Sequence, residues 1–161
     1  MKTMIRLLMI AVLASSFAAC KKAEAPVAVK APVPVPVNDN RQAWIDYLSD
    51  VVERNMDGIA NQPYVYLLPG ESSADFQDQY DRLADKAKSD VSRGIISGNM
   101  LAYGSPASAK MADLVVAAFT GVPTGSMKGV KVLFVGKAED NDRVKAAVTP
   151  AGVDYVFVEA K

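Results

Sequence analysis

From Tyr64 to Val158 the chain alternates short apolar runs with stretches of helical periodicity, and this alternation leaves few folds open. The apolar runs are Tyr64–Leu68, Met100–Tyr103, Val130–Val135 and Val153–Val158. Each has strand length, and the first three meet a glycine or proline break at Pro69-Gly70, Gly104 and Gly136. Between them, Phe76, Tyr80, Leu83, Ala87 and Val91 recur at three- and four-residue steps, as do Met111, Leu114, Val115, Ala118 and Phe119. Val144, Ala147 and Val148 form a weaker third stripe. Val130–Val135 is apolar on both faces, as a strand buried inside a parallel sheet must be. Strands alternating with helices predict βαβ units and a parallel sheet.

Crossovers between parallel strands are right-handed, which restricts the order of the strands. The expected order is 2-1-3-4, as in flavodoxin-like folds. The predicted fold class is therefore α/β, a small doubly wound four-stranded parallel sheet with an extra N-terminal helix. Asp39 with Gln42 three residues on reads as a capping box opening that helix. Its apolar stripe is Trp44, Tyr47, Leu48, Val51, Val52, Met56 and Ile59, with Gly58 placed to end it. In the 2-1-3-4 order the first crossover helix sits alone on its face. The Trp44 helix is expected to cover the rest of that face and to shield the tryptophan.

Composition removes whole classes of chemistry. The chain has no histidine and one cysteine, Cys20. Ser-His-Asp and Cys-His nucleophilic sites, His or Cys zinc sites, haem ligation by these residues and dithiol chemistry are thereby excluded. No cofactor and no metal are expected. The 18 basic and 18 acidic residues are unevenly placed: Lys2, Arg6, Lys21, Lys22 and Lys30 precede Asn38, against Glu24 alone, so the remainder carries a net charge of −4. Nucleic acid, which requires a cationic surface, is not an expected partner.

The N-terminus has a basic start (Lys2, Arg6), an apolar core from Leu7 to Ala14, and the run Phe17-Ala18-Ala19-Cys20. This start resembles that of a bacterial lipoprotein, with Phe17 where that class usually carries leucine. The resemblance implies cleavage before Cys20, lipidation of its thiol and acylation of the new N-terminus. Three acyl chains hold a protein firmly, since each buried CH₂ contributes about 0.8 kcal/mol. By the same resemblance Lys21, which is not the aspartate that favours inner-membrane retention, points to the periplasmic face of the outer membrane. Residues 21–37, rich in proline, valine and alanine, read as a polyproline-II spacer of on the order of 50 Å. The expected organisation is a signal peptide over 1–19, the lipidated cysteine and linker over 20–37, and a globular domain over 38–161.

In a 2-1-3-4 sheet ligands bind where the order reverses, between the loops after the first and third strands. Ser72, Ser73 and Ser105 stand at helix starts, where free N–H groups favour anions, and Lys137 adds charge. These four are the candidate ligand-binding residues, although serines at such positions also serve simply as caps. Glu71 and Glu139 oppose an anion there. The loop Gly121–Gly129 lacks phosphate-loop spacing and precedes a strand, so it reads as a linker turn. The Asp78, Asp81, Asp85 face and the Asp140–Asp142 run lack the alternate spacing of calcium loops.

The function read from these features is a lipid-anchored envelope lipoprotein. Its domain is expected to be a non-catalytic binding or interaction module that meets an envelope protein partner. A small-ligand binder using the crevice, or a histidine-free enzyme at the same place, are the alternatives.

Overall fold

Apolar runs with both faces buried require helices on both sides of a sheet, and the chain supplies them. A computed structural model describes residues 30–161. Its strands are β1 (Tyr64–Leu67), β2 (Met100–Gly104), β3 (Lys131–Gly136) and β4 (Asp154–Glu159). All neighbouring strands pair in parallel, so the α/β class and the four-stranded parallel sheet stand as expected. The helices are α1 (Arg41–Arg54), α2 (Phe76–Ser92), α3 (Ser108–Phe119) and α4 (Ala138–Val148). The signal peptide, Cys20 and the first part of the linker lie outside the described residues.

The strand order is β1-β2-β3-β4 instead of 2-1-3-4. Each crossover then moves the same way across the sheet, so right-handed connections place α2, α3 and α4 on one face. Packing agrees. Val91 of α2, Met111, Leu114 and Val115 of α3, and Val144 and Val148 of α4 share one core with Tyr66, Leu101, Tyr103, Val132 and Phe134 of the sheet. α2 packs on α3 and α3 on α4, a continuous layer. Helices on both sides of a parallel sheet are the layering of flavodoxin-like folds; the order of the strands is the part that differs. Strands apolar on both faces read alike in either order, so periodicity carries no record of which strand lies beside which.

Among the described residues, the opposite face is covered by α1, the segment before it, and Met56 and Ile59 just after it. Trp44, Tyr47, Leu48, Val51 and Val52 pack against Met100, Ala102, Leu133 and Val135. Trp44 is buried at 4% exposure, its ring meets Tyr47 edge-on at 5.8 Å, and its indole N–H donates to the Asn38 carbonyl at 2.9 Å. At Gly104 an added Cβ would stand 2.9 Å from a Leu48 methyl, so the glycine lets α1 lie close on β2. At the far end Lys131 Nζ donates to the carbonyls of Asn55 and Asp57, fixing the end of α1 to the start of β3.

Both ends of α1 and the start of the domain shift. Helix α1 is capped by Asn40, whose side chain accepts from Ala43 N at 2.9 Å, and not by Asp39. It ends at Arg54, ahead of Gly58. The compact unit begins at Pro32 and not at Asn38. Val33 and Val35 pack on the α1 side of the sheet beside Val156 and Val158, and Val33 N donates to Asp50 at 3.2 Å. Residues 32–37, expected to be spacer, therefore belong to the compact unit. Their alternate valines turn onto a sheet face that α1 alone is too narrow to cover.

The larger core contains one unmet polar atom. Tyr66 and Tyr103 stack at 4.6 Å, nearly parallel. Tyr66 donates to Asp90 at 2.8 Å, and Lys86 reaches the same carboxylate at 2.6 Å while lying over the Tyr66 ring. Burial works to raise the Asp90 carboxyl, but hydrogen bonds from Lys86 and Tyr66 outweigh it and hold it below its ordinary value. Burial drives both phenols far above theirs. Among the described residues, the Tyr103 hydroxyl is buried with no hydrogen-bond partner. A buried hydroxyl without a partner costs about 1–3 kcal/mol, whereas a bond to a carboxylate stabilises by about 1.5–3 kcal/mol. Tyr103→Phe is thus expected to leave stability unchanged or raise it by about 1 kcal/mol, and Tyr66→Phe to lower it by about 2 kcal/mol. Urea unfolding of both variants checks this; a Tyr103→Phe loss as large as that of Tyr66→Phe would show that the hydroxyl has a partner.

Candidate functional site

Loops at the carboxyl end of a parallel sheet gather helix starts, and here they carry most of the candidate residues. Because β2 lies between β1 and β3, no reversal of strand order exists and no crevice opens between the loops after β1 and β3. The nearest equivalent is a depression of about 200 Å³ lined by Val35, Trp44, Ser105, Ser108, Lys137 and Lys161, among others. Ser105 and Lys137 come together in it; Ser72 and Ser73 do not line it.

The four predicted residues have defined partners. Ser105 is buried, and its Oγ accepts from Ala107 N at 2.8 Å. It makes a tight turn ahead of α3, which starts at Ser108 and so later than a cap at Ser105 requires. Lys137 is the residue before α4; its backbone N–H donates to Ser108 Oγ at 2.8 Å and its side chain is exposed. Ser72 Oγ donates to Asp39 at 2.9 Å, and Ser73 Oγ donates to Asp75 at 2.7 Å. Asp39 lines the depression, so Ser72 reaches it only through that carboxylate. Gly70 makes this contact possible, since a Cβ there would fall 2.0 Å from Asp39 Oδ2.

Sequence reasoning missed the most elaborate polar group at this end. Ser108 Oγ donates to Asp140 at 2.6 Å, with both residues buried. Asp140 also accepts from Arg143 Nε and Nη2 at 3.1 and 2.7 Å. Arg143 continues to the Ala109 carbonyl at 2.7 Å and to Asp113. Burial opposes the Arg143 charge, but the Asp113 and Asp140 carboxylates prevail and keep its guanidinium above the usual value. Gly136 allows the close approach, because a Cβ there would meet Ser108 Oγ at 2.6 Å and the Phe134 ring at 2.8 Å. Only the Asp140–Arg143 spacing was legible beforehand; nothing in the chain marks Ser108 as its partner across 32 residues.

These bonds join α3 to α4. Ser108 has a carboxylate neighbour, and Arg143 holds that same carboxylate as an ion pair at 2.7 Å. Among the described residues, no group of three or more His, Cys, Asp or Glu side chains is placed to hold a metal. Also among the described residues, no helix is long and apolar enough to cross a membrane.

The chain matches no family model, no curated protein sequence and no solved structure.

If the Ser108–Asp140–Arg143 group is a lock, Ser108→Ala removes a buried bond to a carboxylate and should cost about 1.5–3 kcal/mol. Denaturant unfolding measures it; a change under about 0.5 kcal/mol, the size of an ordinary surface substitution, would contradict the lock.

Proposed function

We propose that the protein is a lipid-anchored envelope lipoprotein, held through Cys20, whose α/β domain is a non-catalytic interaction module. The observation that carries the second half is the state of the polar groups at the carboxyl end of the sheet. Ser72, Ser73 and Ser108 each donate to a carboxylate, and Ser105 accepts from the backbone. Hydroxyls and carboxylates bound to one another in this way hold loops; they are poorly placed to act on a substrate. The depression beside them, at about 200 Å³, falls below the roughly 300–1,000 Å³ of typical small-molecule sites. Its charges are also mixed, since Asp39, Lys137 and Lys161 all line the same hollow. Both features weigh against the small-ligand binder and the histidine-free enzyme.

Anchoring rests on the sequence before the described residues: an apolar run, small residues, and a sole cysteine at position 20. Lys21 favours the periplasmic face of the outer membrane. A protein fixed there with a proline-rich tether meets partners within reach of the membrane, which suits an interaction module better than a diffusible binder.

Cys20→Ser should release the chain into the soluble fraction or leave an uncleaved precursor. Detergent phase separation of the wild-type and variant chains tests this; mature wild-type protein in the aqueous phase would remove the anchoring reading.

A further inference from the structure

The edge of the sheet at β1 is open. Among the described residues, β1 pairs only with β2. Leu68 N donates to the Gly104 carbonyl at 3.3 Å, which fixes the alternation. In a parallel pair every second residue turns its N–H and C=O toward the neighbour. Tyr64 and Tyr66 therefore face β2, while Val65 and Leu67 present both backbone groups outward.

Natural edges are usually blunted by charge, proline or a covering element. Here Pro63 and Pro69 stand two residues before Val65 and two after Leu67, so the free edge is confined to those two residues; Tyr64 and Val65 are 36% and 46% exposed. Charge appears only beside the second half. There Arg41, Leu67, Gln79, Arg82, Leu83 and Lys86 line a shallow depression of about 310 Å³. Arg41 reaches from α1 to the neutral Gln79 of α2 at 3.2 Å, and among the described residues it makes no ion pair. Arg82 has Asp78 at 3.9 Å, with both side chains largely exposed. Lys86 is already engaged by Asp90. Two arginines thus flank an open strand on a domain that is otherwise net acidic.

We infer that β1 is a docking edge for an extended acidic segment of a partner protein, added to the sheet as a fifth strand. Backbone groups of the segment pair with Val65 and Leu67. Its apolar side chains cover Val65 and the Tyr64 ring, and its carboxylates meet Arg41 and Arg82. This is strand addition, in which main-chain bonds supply affinity and flanking side chains supply selectivity. The proposal rests on the interaction-module reading and names the surface and the partner chemistry for it.

The test uses the mature chain in detergent with a synthetic peptide of alternating glutamate and valine. A control peptide carries lysine in place of glutamate. With the acidic peptide, the Val65 and Leu67 amides should shift in NMR spectra and gain about tenfold or more protection from hydrogen exchange. Binding should weaken with salt, and Arg41→Gln with Arg82→Gln should weaken it about fivefold or more. Val65→Pro, which removes an outward N–H from an edge position that tolerates proline, should abolish it. Equal binding of the lysine peptide would overturn the proposal, as would shifts confined to other surfaces or none at millimolar peptide. Concentration-dependent shifts of Val65 and Leu67 without peptide, matched by shifts along β4, would also overturn it. They would identify a second copy as the occupant, through the Asp154- and Glu159-bearing edge. If the edge fails while envelope cross-links form through other surfaces, the module reading survives; if no cross-links form at all, that reading fails with it.

Discussion

Every crossover in this sheet runs in the same direction, and the rest of the architecture follows from that. With the order β1-β2-β3-β4, right-handed connections put all three crossover helices on one face. Met100, Ala102, Leu133 and Val135 on the other face would lie bare without a cover from outside the βα repeat. Helix α1 and the Val33–Val35 arm are that cover. The N-terminal helix is therefore an integral layer of the fold. The last residues of the proline-rich segment belong to the same layer, so the domain begins at Pro32.

This arrangement also determines what the carboxyl end of the sheet can hold. A reversal in strand order opens a crevice between diverging loops; a sheet wound one way has none. The loops after β2 and β3 instead sit side by side, close enough for Ser108 to reach Asp140 past Gly136. The arm and Trp44 close the hollow from the α1 side. What remains is a small depression of mixed charge. Among the described residues, β1 and β4 are the edge strands of the sheet, each paired on one side only.

Much of this was legible in the sequence, with a clear limit. Among the described residues, period and punctuation located the four strands and four α-helices, though not the 3-10 turn at Thr149–Ala151, because burial dictates periodicity and glycine or proline marks the breaks. Val130–Val135 announced a central strand, and the Trp44 stripe announced a covering helix. Strand order was not legible: a strand apolar on both faces suits any interior position. The cap moved from Asp39 to Asn40 because Asp39 found a tertiary partner in Ser72. Of the four candidate site residues, Ser105 and Lys137 converge while Ser72 and Ser73 do not, since their convergence depended on the order. Val33 and Val35 looked like spacer because alternation with proline hides an apolar face two residues in period. The Ser108–Asp140 bond spans elements whose adjacency only the folded sheet creates.

The central claim is that α1 and the arm form a fixed layer over the sheet. Trp44, the sole tryptophan, sits beneath the arm's end and bonds to Asn38, so it reports on both parts at once. Its fluorescence in the native chain, followed through a urea titration with acrylamide quenching at each step, is the most direct measurement. The account predicts blue-shifted emission that resists quenching and is lost in a single transition coincident with unfolding of the sheet. Emission typical of a solvated indole, or a Trp44 transition well before the rest of the domain unfolds, would contradict it.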